Sequence, residues 1–162
     1  MRQGVDLRAV TGRDWERVWP FMREIIAAGQ TYTLATDLPE AEARAMWLIP
    51  TAFVAVAGEA VLGIGKFHAN HGGNADHIAN GSFMVDPAHA GKGVGRALGA
   101  RVLDEARAAG FTAMQFNAVV STNTGAVRLW RSLGFEIVAT LPGGFRHPVH
   151  GPVGLHIMYR EL

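Results

Sequence analysis

A mixed α/β fold, of the α+β kind in which the sheet is not uniformly parallel, is predicted by three observations. Period-two strand patterns stand near both ends of the sequence, and amphipathic helical stripes alternate with further strands between them. Residues 77–120 read as strand, helix, strand, and that crossover demands a parallel pair. With 162 residues, 49% of them hydrophobic and 18% charged, a single domain spanning 1–162 with a sizeable core is expected.

Val5, Leu7 and Ala9 alternate with polar neighbours and predict a first strand with one buried face. Trp15, Val18, Trp19, Met22, Ile25 and Ile26 then recur at helical spacing, with Thr11 or Asp14 as cap and Gly29 as stop. Pro39 opens a second helix through Trp47, which Pro50 ends. The alternating segments 51–57 and 60–68 flank Gly58-Glu59 and form a hairpin; the break makes this apolar stretch too short to span a membrane. The tip HANHGGNA leads to a strand over about 77–86. Val94, Leu98, Val102 and Ala106 mark a helix ending at Gly110, AMQFNAVV a strand, Thr124 to Leu133 a helix stopped by Gly134, and FEIVATL and GLHIMYREL the last two strands. The order is βααβββαβαββ. The segment GFRHPVHG is left as a loop between the last two strands, either bordering a pocket or simply connecting.

Charge and composition narrow the function classes. A formal net charge of +1, from 15 basic and 14 acidic residues, supplies no field that favours nucleic acid or an anionic membrane. Cysteine is absent, so disulfides, thiolate metal sites and an acyl-cysteine intermediate are excluded. The N-terminal stretch MRQGVDLRAVTGRDW lacks the apolar run of a signal peptide, and a cytoplasmic location is expected.

The most informative stretch is MVDPAHAGKGVGRALGA, in which a strand passes through a turn into Gly91, Gly93 and Gly95 and straight on into a helix. Glycines let the backbone approach a ligand closely, and the unpaired amides of a first helical turn attract an anion. Lys92 and Arg96 add positive charge at the same place. The P-loop pattern is absent, and a dinucleotide fingerprint would need Gly where Arg96 stands and a carboxylate after the next strand, where AVVSTNTGAV has none. Phosphate binding is therefore expected, in preference to a merely tight strand-to-helix turn.

Asn123 to Phe135, reading NTGAVRLWRSLGF, supplies a second motif on the next helix. Together the two resemble the GNAT (GCN5-related N-acetyltransferase) superfamily, whose signature couples Arg/Gln-x-x-Gly-x-Gly/Ala after the fourth strand with Asn-x-x-Ala-x-x-Leu-Tyr-x-x-x-Gly-Phe after the fifth. The resemblance is carried by residues 76–140 and extended by the element order. It implies a GNAT fold, with a central, mostly antiparallel sheet of about seven strands flanked by about four helices, the fourth and fifth strands parallel and splayed. It also implies acetyl-CoA as co-substrate with no metal, and a direct transfer of the acetyl group to an amine. Gly91, Lys92, Gly93, Val94, Gly95 and Arg96 would hold the CoA diphosphate, Met84 and Val85 would pair with pantetheine, and Asn123 would touch the cofactor. A backbone amide near Val85 would polarise the thioester carbonyl.

Two positions depart from the signature. Ala90 stands where Arg or Gln is usual, and Trp130 where many relatives carry the Tyr that protonates the leaving thiolate; an indole N–H is too weak an acid for that task, which leaves the general acid unassigned.

Asn80 and Ser82 share one face of the fourth strand, and Gln115 and Asn117 one face of the fifth, amid residues that read as core. Asn80 and Asn117 are taken as catalytic, holding a substrate carboxylate or carbonyl, or fixing a water and the attacking amine; the alternative is that they satisfy neighbouring backbone. Asn80, Asn117 and Asn123, with FNAVVSTN, are also similar to a branch that acetylates proline analogues such as azetidine-2-carboxylate. Asp76 and His77 are the nearest candidates in sequence for a base. His68, His71, Asp76 and His77 lack helical pairing and read as solvated loop rather than a metal site. Trp15, Trp19 and Trp47 are read as core or a dimer face, with lining of the acceptor site as the further option. The function expected is acetyl transfer to a small, amino-acid-like amine by a chain that can form a homodimer. A protein or peptide N-acetyltransferase and a catalytically silent CoA-binding regulatory module are the alternatives.

Overall fold

In the computed structural model, which describes residues 4–162, the strands β1 (Asp6–Ala9), β2 (Ala52–Ala57), β3 (Ala60–Ala69), β4 (Ile78–Val85), β5 (Ala113–Val120), β6 (Glu136–His147) and β7 (Gly151–Glu161) form one seven-stranded sheet. Residues 1–3 of the N-terminal segment read above lie outside the described residues. The spatial order is β1-β2-β3-β4-β5-β7-β6, with β4 and β5 parallel and the other neighbours antiparallel. The helices are α1 (Trp15–Ala28), α2 (Glu40–Trp47), α3 (Val94–Ala108) and α4 (Thr124–Ser132). The βααβββαβαββ order and the mixed architecture expected from the sequence are both observed.

Strand alternation decides which helix covers which face. Val54, Ile64 and Met84 point to the side where α1 and α2 bury Val18, Met22, Ile26 and Trp47. Phe53, Phe67, Ala79, Met114 and Phe116 point to the other, where α3 and α4 bury Val102, Ala106 and Trp130. Trp15 and Trp47 are core, and Trp19 stacks on Trp15 with ring centroids 5.8 Å apart. Gly95 and Gly99 lie one turn apart on α3 where α4 crosses it: a Cβ on Gly95 would stand 3.0 Å from Leu129, and one on Gly99 would stand 2.8 Å from Leu133 and 3.1 Å from Trp130.

Two sequence expectations change here. β1 has no buried face: Val5 is exposed and Leu7 half-buried, because β1 is the sheet edge and rests only on the end of the small cluster formed by Ala55, Leu62, Val94 and Leu98. The GFRHPVHG segment is mostly strand, since β6 runs on to His147 and only residues 148–150 turn before β7. Register shifts between Leu141 and Phe145 absorb the Pro142-Gly143-Gly144 interruption that masked this strand in the sequence.

Asp14 ties β1 to the start of α1. Its carboxylate accepts from both Arg8 guanidinium nitrogens, at 2.8 and 2.7 Å, and from the Thr11 N–H at 2.7 Å. The Arg8 hydrogen bonds foremost, and then Thr11, hold its pKa down at about 2 in spite of burial. A depressed carboxyl contributes stability that is present above its ordinary range and is lost as pH falls through the folded value. Asp14→Asn is accordingly expected to cost about 2 kcal/mol at neutral pH, with the difference between the two proteins narrowing below about pH 4. Urea melts at stepped pH measure this; a gap that stays constant down to acid would refute it.

Lys66 is a buried cation that sequence reading passed over. It donates to the Met46 carbonyl at 2.7 Å and stands 4.7 Å from the centroid of the Trp47 ring. Burial pushes its pKa down. Its contact pins the end of α2 to β3, directly opposite Ser82.

Candidate active site

The site exists because two strands part. β4 and β5 pair only at Ile78–Ala113 and Ala79–Met114, and beyond these rungs they diverge. Backbone hydrogen bonds show which way β4 faces. Asn70 donates to Ile78 and Asp86 to Leu62, so even-numbered residues turn to β3; Thr112 donates to His77, so odd-numbered residues turn to β5. The backbone groups of Gly81, Phe83 and Val85 therefore point into the gap.

A cavity of about 620 Å³ lies at one end of this gap, lined by Met84, Val85, Ala90, Gly91, Gly93, Val94, Gly95, Arg96, Asn123 and Trp130 among others. Gly91 and Gly93 adopt positive φ of 75° and 82°, and a Cβ on either would meet nothing within 4 Å. Their role is thus conformational, and the space beside them is open. Gly93 caps α3 with no side-chain partner, and the first helical bond runs from Ala97 to Gly93, so the amides of Val94, Gly95 and Arg96 are free to receive an anion. No acidic residue occupies that first turn. Arg96 reaches across to the Ser132 hydroxyl at 2.6 Å, while Lys92 is exposed and does not line the cavity. The Met84 side chain is buried among α1 and β3 side chains and its backbone, at an even position, is paired to β3, so of Met84 and Val85 only Val85 turns its backbone groups into the gap.

A second cavity of about 280 Å³ opens between the diverging strands, lined by Asn80, Ser82, Phe116, Asn117, Val119 and Asn123 and by Thr31 to Thr33. Among the described residues no charged side chain lines it. The polar strand residues are not embedded in core as the sequence suggested. Asn117 is exposed and Asn80, Ser82 and Gln115 half-buried, because the splay removes the neighbour that would have covered them. Asn117 Oδ1 accepts from Gln115 Nε2 at 3.0 Å, and its Nδ2 donates to Asn70 Oδ1 at 2.7 Å. Asn70 was missed in the sequence, where it looked like part of a loop tip. Asp76 and His77 line neither cavity. Among the described residues no group of three or more His, Cys, Asp or Glu side chains converges.

Asn123 and Trp130 line both cavities. The Asn123 side chain makes no capping bond at the start of α4. The Trp130 ring is wedged against Phe83 and Phe116, with centroids 4.7 and 4.8 Å away, and forms the floor between the cavities.

Residues 31–33, between α1 and α2, supply the wall that sequence reading did not find. Tyr32 lines both cavities and also a third, of about 430 Å³, formed with Gly143 to Arg146 at the β6–β7 tip. The tip thus borders a pocket while being strand. Burial pushes the Tyr32 phenol above its ordinary range, and the backbone of Phe83 pulls the other way. The available signal was the Thr-Tyr-Thr triplet just beyond a helix-stopping glycine, but nothing in its spacing distinguished it from connecting loop.

A sheet opened at its parallel junction, with a glycine loop leading into a helix at the mouth, is the build of the N-acetyltransferase class. A solved GCN5-related N-acetyltransferase from Kribbella flavida matches this chain with a TM-score of 0.96 at 45% identity, over 100% of each chain. A GNAT superfamily phosphinothricin acetyltransferase from Sinorhizobium meliloti, solved in complex with AcCoA, has a TM-score of 0.86 at 25% identity, covering 98% of this chain and 88% of that one. The L-methionine sulfoximine/L-methionine sulfone acetyltransferase of Salmonella typhimurium is 46% identical over 61 residues, which is 38% of this chain and 35% of the relative. This chain therefore spans about a third of the length of that curated relative. A profile of the Acetyltransferase (GNAT) family matches residues 19–135, and the chain belongs to that family.

Proposed function

We propose that the chain transfers the acetyl group of acetyl-CoA directly to the amine of a small, amino-acid-like acceptor, in the manner of proline-analogue acetyltransferases. The observation that carries this reading is the meeting of two unlike cavities at Thr31, Tyr32, Phe83, Asn123, Ala126 and Trp130. One is long, apolar and closed by free helix-start amides, which suits pantetheine and a diphosphate; the other is small, neutral and polar, which suits an amine-bearing acceptor. The residues at the glycine loop, namely Gly91, Gly93, Val94, Gly95 and Arg96, take the diphosphate through their backbone. Val85 takes pantetheine through its own backbone, and Met84, whose backbone is turned to β3, only lines the same cavity. When bound, the thioester supplies an activated acetyl carbon and a thiolate leaving group.

Asn80 and Asn117 orient the acceptor. Asn117, already fixed by Gln115 and Asn70, keeps one N–H and part of its carbonyl capacity for a ligand. The small size of the acceptor cavity favours an amino acid over a peptide, and the relatives named for phosphinothricin and for L-methionine sulfoximine support the same acceptor class. Because no carboxylate or histidine among the described residues lines this cavity, the amine's surplus proton leaves to water through the open mouth.

Thiol release from acetyl-CoA, followed across amino acids, azetidine-2-carboxylate and other proline analogues, polyamines and peptides, tests the proposal. Turnover highest with a cyclic or small amino acid is expected. Turnover confined to peptides would replace the acceptor class, and CoA binding without release for any amine would indicate a regulatory module. Asn117→Ala is expected to lower kcat/KM for the acceptor about 10-fold to 100-fold, with CoA affinity within a factor of two. Equal losses in both, by kinetics and calorimetry, would place Asn117 in the framework only.

A further inference from the structure

Acyl transfer leaves negative charge on sulfur as the C–S bond breaks, and in this chain the α4 position from which relatives supply a phenol is Trp130. Its indole is held in an aromatic cluster and offers only a weakly acidic N–H. A donor for the departing sulfur must come from elsewhere on the wall that the two cavities share. The acyl carbon has to sit at that wall, since it leaves one cavity's ligand for the other's.

Of the side chains on the shared wall, Thr31, Tyr32, Asn123 and Trp130 carry a donor hydrogen. Among these the phenol is the most acidic type of donor, with an ordinary pKa of about 10, and burial raises it in Tyr32. Tyr32 is also the residue that lines all three cavities, which places its side chain or backbone at each of them. Phe83, whose backbone the splay turns into the gap, lines both of the first two cavities beside it.

Resting on the transferase reading above, we propose that Tyr32, on the loop between α1 and α2, is the hydrogen-bond donor to the CoA sulfur as it leaves. The amine nitrogen attacks the acetyl carbon and the C–O double bond opens onto a backbone amide of β4. The tetrahedral species then collapses, the C–S bond breaks, and its electron pair goes to the sulfur facing the Tyr32 O–H. The amine's proton passes to water, and the thiolate later takes a proton from solvent, so the phenol ends the cycle unchanged. Burial keeps Tyr32 neutral across the working range, which suits a donor that is present at every turnover and never becomes an anion beside the thiolate.

Tyr32→Phe in the full chain tests this, since it removes one oxygen and keeps the ring. Thiol release is expected to fall about 10-fold to 100-fold in kcat, with acceptor KM and CoA affinity by calorimetry within a factor of two and the melting temperature within about 2 °C. A kcat within threefold of the parent overturns the proposal while leaving acetyl transfer itself intact. A rise in acceptor KM at unchanged kcat also overturns it, making Tyr32 an acceptor contact, and so does a matched loss of CoA affinity and melting temperature, making it a packing residue. Absence of thiol release from the parent chain would overturn the transferase reading first and this donor with it.

Discussion

Gly93→Val is expected to lower affinity for CoA by about 100-fold, with a melting temperature only a few degrees below the parent's. Gly93 holds a φ of 82° at the cap of α3. An L-residue there costs about 1–2 kcal/mol, and more when β-branched, so the loop relaxes away from the left-handed region. Relaxation turns the free amides of Val94 and Gly95 off their common focus. Each amide–anion hydrogen bond contributes about 1.5–3 kcal/mol, so losing one to two of them gives the stated factor. The stability loss is limited to this backbone cost, because a Cβ here meets nothing within 4 Å. Gly110→Ala is the control: Gly110 has a φ of 94° and equally open surroundings, but it lies beyond the far end of α3. It is expected to lose stability by about 1 kcal/mol with CoA affinity unchanged. Calorimetric titration of both variants decides the matter. Gly93→Val binding as tightly as the parent would remove the cradle from the glycine loop.

Gly63→Val has the largest expected effect on stability, about 3 kcal/mol, which lowers the melting temperature by about 6–12 °C in a chain of this length. A Cβ on Gly63 would lie 2.9 Å from the Met84 carbonyl oxygen, 3.0 Å from Leu98 and 3.2 Å from Val94. The first of these is backbone, so relief requires β4 to shift at the point where it enters the cleft. Val94 and Leu98 are buried residues of α3 and cannot both swing aside at interior packing density. The displacement would reach the glycine loop through Val94, so CoA affinity falls together with stability, in contrast to Gly93→Val. Thermal melts with and without CoA separate the two cases. A Gly63→Val protein melting within about 2 °C of the parent would show that β4 and α3 are less tightly coupled than the distances imply.

Much of the architecture was legible because the elements obey strong local rules. The period-four stripe of α3, the strand-forming residues of β5, and the stop glycines at positions 29, 110 and 134 located those elements within a few residues. The extension of β6 was not legible, because Pro142-Gly143-Gly144 reads locally as turn and only pairing with β7 carries the strand through it. The glycine loop was visible for the same reason that it works, since three glycines at a helix start have few other uses. The acceptor side was less visible. Asn80 and Asn117 attracted notice as polar residues in strands, but their exposure depends on a divergence of β4 from β5 that no local pattern encodes. Asn70 and Tyr32 reach the cleft from segments far away in the chain, and only the folded chain brings them beside it.

The early parting of β4 and β5 has a thermodynamic corollary. A sheet that stops pairing after two rungs leaves peptide groups without partners, and a ligand carrying its own amide linkages can complete the ladder where the next strand fails to. On the proposed reading, CoA behaves as a detachable eighth strand. Mass action then couples the folded population of this chain to free CoA, with about 2.7 kcal/mol gained at a hundredfold excess over Kd. Scarcity of CoA in all its forms would expose the chain to proteolysis as well as idle it, so its abundance would follow the CoA supply.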